Sequence, residues 1–102
     1  MRTNPDGRMN RVDWLEIDEE VEHHLARHGV RAGDVWEILS NTHLLFPKRE
    51  HADERIYLLG PTNGGRILKV SLAPTDEPGT WRPITAFPAD AADTRLYWSR
   101  VR

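Results

Sequence analysis

The 102-residue chain has no cysteine, which excludes a disulfide framework and a thiolate zinc site. It also lacks any apolar run near the ~18 residues that a membrane helix needs. The opening stretch Met-Arg-Thr-Asn-Pro-Asp-Gly-Arg-Met-Asn has no apolar core of the kind a signal peptide carries, so the expectation is a cytoplasmic protein with no membrane partner. A strong excess of one charge is missing too. The net charge of −2 argues against a broad nucleic-acid surface. The chain is short enough for one domain with a modest core.

The charge that is present is unevenly spread. Between residues 18 and 42, Arg27 and Arg31 stand against six acids, as on solvated helix faces. Between residues 43 and 72, Lys48, Arg49, Arg55, Arg66 and Lys69 stand against three acids, enough for a small anion site.

Residues 1–10 read as a flexible lead and 11–102 as a single domain. Arg-Val-Asp-Trp-Leu-Glu-Ile is a short first strand or an extended approach. From Ile17 to Val30 the spacing of Ile17, Val21 and Leu25 predicts a helix. Asp18 is its N-cap, acids fill the first turn, and Gly29 offers a left-handed stop with Val30 folding back on Leu25. A second helix follows over Ala32–Asn41, with Val35, Ile38 and Leu39 inward. Thr42–Pro47 is a strand or extended link. Three strands come next: Glu54–Gly60, Arg66–Ala73 and Trp81–Phe87. Pro-Thr-Asn-Gly-Gly makes a hairpin turn between the first two, and Pro83 marks the third as an edge strand or strand start. In the middle strand Leu68, Val70 and Leu72 face one way, and Ile67, Lys69 and Ser71 the other. A short terminal helix starts at an Asp90 cap, with Leu96, Tyr97 and Val101 as packing residues. The expected fold class is α+β: two N-terminal helices on a small antiparallel sheet of three to four strands, then a short C-terminal helix.

Three groups can carry chemistry. His24 and His28, four apart on a helix, can serve as a proton donor and acceptor pair, since imidazole titrates near neutrality. They can also be a metal pair or plain solvated residues. A metal reading lacks the third and fourth ligands that zinc takes. Arg66 and Lys69 can stabilise a pentacovalent phosphate, but alternation lets at most one of them reach a given face. Lys48, Arg49, His51 and Arg55 form a basic cluster suited either to RNA contact or to solvation.

The segment Asp13–Val30 resembles the start of the BrnT-type toxins of bacterial toxin–antitoxin pairs. The likeness continues through Glu54-Arg55, Gly60, Thr62, Gly65-Arg66, Leu68 and Val70, and closes on Ile84–Tyr97. It spans about residues 12–98. The resemblance implies a RelE-like fold and a metal-independent endoribonuclease with no cofactor. It also implies an antitoxin partner, as a hetero-oligomer or beside a homodimer. The wider group includes barnase, EndoU and colicin-type ribonucleases. There, a helix-borne His pairs with a strand-borne Thr or Ser that precedes an aromatic and Pro. Carried onto this chain, that pattern points to His24, His28, Thr85 and Phe87, with Arg66 or Lys69 supplying positive charge. The catalytic candidates are thus His24, His28, Arg66, Lys69 and Thr85; the substrate-binding ones are Phe87, Tyr97, and Arg55 and His51 of the basic cluster. Phe87 stands where BrnT-type toxins usually carry Arg. Ala91, Ala92 and Thr94 stand where their last helix is often basic, which lowers the attraction for phosphate. A non-catalytic RelE-like module that binds a protein partner or regulates its operon is the alternative.

Overall fold

The computed structural model describes residues 11–47 and 54–101. Within them the order is β1 (Trp14–Leu15), α1 (Glu19–Ala26), α2 (Ala32–Ser40), β2 (Leu44–Pro47), β3 (Ile56–Pro61), β4 (Ile67–Pro74), β5 (Thr80–Pro88) and α3 (Ala91–Val101). The strands form one sheet in the order β1-β5-β4-β3-β2. The α+β reading holds, with three helices as expected. The sheet has five strands rather than three or four, and it is mixed rather than antiparallel, because β1 pairs with β5 in parallel. That pairing depends on the loop at Gly79. The Gly79 carbonyl accepts from the amides of Asp13 at 2.8 Å and Trp14 at 3.1 Å. Residues 66 positions apart in sequence meet there, and no local pattern announces them.

The ends of α1 follow local chemistry. The Asp18 carboxylate accepts from the Val21 amide at 2.9 Å, and Glu19, Glu20 and Glu22 sit in the first turn. Gly29 takes φ 69°. The Val30 amide donates to Leu25 O at 3.1 Å and the Gly29 amide to Ala26 O at 3.0 Å. These are the paired bonds of a Schellman stop. Regular helix therefore ends at Ala26, and His28 lies in the closing turn. Arg82 of β5 staples the front of α1, reaching Asp18 at 3.0 Å, Glu20 at 3.1 Å and Glu16 at 3.5 Å. The guanidinium of Arg82 and the Val21 amide hold the Asp18 carboxyl below its ordinary value of 3.8.

The main core lies between α1, α2 and one face of the sheet. Val21, Leu25, Val30, Val35 and Ile38 meet Leu58, Leu68, Val70, Leu72 and Ala86 there. Gly60 is needed for close approach, since a Cβ at that position would come 3.1 Å from Ile38 Cγ2 and from His43 Cβ. The β3–β4 hairpin closes as its composition predicts. Gly65 adopts φ 93°, and the Thr62 amide donates to Arg66 O at 2.9 Å. Between Ser71/Leu72 on β4 and their partners Thr85/Pro83, residue Ile84 is extra, so β5 carries a bulge beside Pro83. Pairing of β5 with β1 involves only Thr80 and Trp81. Pro83, which has no amide hydrogen to give, lies just past it.

Helix α3 covers part of the opposite face. Asp90 caps it, accepting from the Asp93 amide at 2.8 Å. Its buried residue is Tyr97, whose hydroxyl donates to Thr42 O at 2.7 Å. Leu96 and Val101 are half-buried.

Candidate active site

Alternation along the sheet assembles the site on the face away from α1 and α2. On β4, Leu68, Val70 and Leu72 enter the core, so Lys69 and Ser71 point the other way. The register then places Phe87 opposite Lys69 and Thr85 opposite Ser71 on one side. On the other side, Leu59 lies opposite Lys69 and Tyr57 opposite Ser71. Thr85 and Lys69 are diagonal neighbours, roughly 7–8 Å apart at their backbones in such a ladder. Phe46 of β2 extends the row beyond Tyr57, with their ring centroids 5.5 Å apart.

Lys69 is the centre of this face. Its ammonium lies 4.2 Å from the centroid of the Tyr57 ring and 3.3 Å from the Asp93 carboxylate at the start of α3. Both charged side chains are only 18% exposed. The ring face and the carboxylate therefore stabilise a cation that has lost most of its water. Ser71, fully buried, presents an Oγ with no hydrogen-bond partner among the described residues. That hydroxyl is closed to solvent and carries the cost of an unmade hydrogen bond. The arrangement of an ammonium beside the Thr85 hydroxyl and an aromatic row suits a phosphate ester with its attached base.

The other sequence candidates are distributed differently. His28 lies beside Phe87, with centroids 6.3 Å apart and the rings edge to face. It thus touches the strand that carries Thr85. His24 is exposed and shares a shallow depression on α1 with Glu19, Glu20, His23 and Arg27. Arg66, expected to compete with Lys69 for one face, sits in the hairpin. Its guanidinium donates to Gly29 O at 2.9 Å and lies 3.5 Å from Asp34. Arg55 is half-buried just before β3. His51 falls outside the described residues, as do Lys48 and Arg49. Tyr97 anchors α3 through Thr42, and its side chain is buried. Among the described residues, no three His, Cys, Asp or Glu side chains gather closely enough to hold a metal ion. No helix there is long and apolar enough to cross a membrane.

Tyr57, Asp93 and the unpaired state of Ser71 escaped the sequence reading. A signal existed for Tyr57, because a hairpin centred on Thr62–Gly65 pairs it with Ser71. Asp93 could be placed only as the third residue after the Asp90 cap. Its reach to Lys69 depends on the angle between β5 and α3.

No protein-family model and no curated protein matches the chain. Among solved structures, the crystal structure of the Brucella abortus ribonuclease toxin BrnT is similar, with a TM-score of 0.54 and 26% sequence identity. The match covers 78% of this chain and 96% of that one. The chain is therefore similar in fold to a BrnT ribonuclease toxin over most of both chains.

Proposed function

We propose that this chain is a metal-independent endoribonuclease toxin of a toxin–antitoxin pair, working in the cytoplasm. The observation that carries the reading is Lys69, a mostly buried ammonium on the sheet face away from α1 and α2, with Thr85 on the neighbouring strand. The similarity to a ribonuclease toxin over most of both chains supports it. In the proposed reaction the RNA 2′-hydroxyl loses its proton to His28 and its oxygen attacks phosphorus. The bond from phosphorus to the 5′ oxygen breaks, and that oxygen takes a proton from an acid, His24 or solvent. The products are a 2′,3′-cyclic phosphate and a 5′-hydroxyl. Lys69 stabilises charge on the pentacovalent phosphate, and Thr85 donates a hydrogen bond to it. Arg66, already engaged by Gly29 O and Asp34, is the weaker candidate for that charge. Arg55 and His51 would guide the backbone, Phe87 would contact the substrate, and Tyr97 would act by holding α3. The antitoxin would cover this face, as a hetero-oligomer or on a toxin homodimer.

The test is incubation of purified protein with labelled RNA, with and without EDTA, beside His28→Ala and Thr85→Ala. The reading predicts EDTA-resistant cleavage that both variants weaken. No cleavage by the wild type contradicts the enzyme reading, and loss of cleavage in EDTA contradicts the metal-free mechanism. A non-catalytic binding module is the second reading. It is favoured by Ala91, Ala92 and Thr94, which leave the first turns of α3 poor in cations.

A further inference from the structure

The Lys69 cation is already paired with a carboxylate from another element. Asp93 reaches Lys69 at 3.3 Å from the first turn of α3, and the Asp90 cap holds that turn in place. Helix α3 is lightly fastened: Tyr97 is its buried residue, joined to Thr42 O by one hydrogen bond. Ser71 lies on the same face with no partner for its hydroxyl among the described residues.

We propose that Asp93 is a positioning residue that stands in for substrate phosphate, holding Lys69 aimed across the face until an RNA phosphate displaces it. The inference rests on the ribonuclease reading of this site. Physically, it is an exchange of one anion for another on a single half-buried ammonium. An ammonium that is 18% exposed and has no anion beside it keeps a desolvation cost without compensation. Removing the carboxylate therefore raises the demand for a substitute anion. Phosphate offers more acceptor oxygens than a carboxylate and can engage Lys69 and Thr85 together. Asp93 thus lowers RNA affinity while keeping Lys69 oriented.

The experiment measures binding of a 2′-O-methyl RNA oligonucleotide, which cannot react, by fluorescence anisotropy. Cleavage of unmodified RNA is followed in parallel. Asp93→Asn should bind roughly two- to tenfold more tightly than wild type, the range expected for releasing one ion pair of this exposure. Asp93→Glu, which restores the charge, should return to wild-type affinity. Lys69→Ala should bind weakly, and adding Asp93→Asn to it should give no gain. Circular dichroism establishes that each variant is folded. Asp93→Ser replaces Asp93→Asn if the latter does not fold. Unchanged or weaker binding by the folded Asp93 variant overturns the inference, as does a gain that persists without Lys69 or absence of binding by every variant. If the oligonucleotide binds in the predicted pattern but RNA stays intact, the inference stands and the ribonuclease reading falls. Cleavage with no Asp93 effect removes the inference alone.

Discussion

Lys69 shows how a residue's role is set by what surrounds it. Solvent would make it one more surface ammonium. Here the Tyr57 ring lies under it and Asp93 beside it, with little water. Replacing Lys69 by Ala should lower RNA cleavage by about 100-fold or more, the order seen when a preorganised donor to a transition-state oxyanion is removed. Steady-state kinetics should show the loss in kcat together with a raised KM. Gly29 makes a different point. Its φ of 69° is open to glycine and strained for alanine. Gly29→Ala should cost about 1 kcal/mol, visible as a fall in Tm of roughly 4–8 °C for a chain of this size.

At the scale of elements, helix ends and hairpins were legible in the sequence because their causes are local. Asp18 caps α1, Gly29 stops it, Gly65 turns the β3–β4 hairpin and Asp90 starts α3, each within a few residues of its effect. The period-two reading of β4 also placed Lys69 and Ser71 on the face away from the core. What was illegible depends on long-range meetings. The parallel β1–β5 pair needs Gly79 to return to Asp13, and the Lys69–Asp93 contact needs the angle at which α3 leaves β5. The histidine pair fared differently, since their four-residue spacing ignores that α1 ends at Ala26. His24 remains on the outer surface while His28 turns toward Phe87.

Two predictions belong to elements. Tyr97→Phe removes the bond that fastens α3 to Thr42 and should cost about 1 kcal/mol. Hydrogen exchange should then quicken in α3 amides while those of α1 keep their rates. The Arg82 staple adds a pH dependence. The folded Asp18 carboxyl titrates below its ordinary value because of Arg82 and the Val21 amide. Its stabilising effect is therefore fully present above about pH 4 and is lost as pH falls through the lowered folded value. Urea midpoints measured from pH 6 downward should converge for wild type and Asp18→Asn at the acid end and separate above it.

Over the whole molecule, one sheet serves two purposes. One face buries the apolar stripes of α1 and α2, and this makes the fold. The other gathers Lys69, Ser71, Thr85, Tyr57 and Phe87 with a carboxylate from α3. The segment Ile84–Asp90 joins both roles. Its bulge and Pro83 adjust the edge, Thr85 and Phe87 line the site, and Asp90 starts the helix whose Asp93 meets Lys69. Product analysis after incubating metal-free protein with a short labelled RNA in EDTA tests the role of Lys69 at this face. Wild type should give 2′,3′-cyclic phosphate ends and Lys69→Ala almost none. Intact RNA with folded wild type would contradict it, as would equal cleavage by Lys69→Ala.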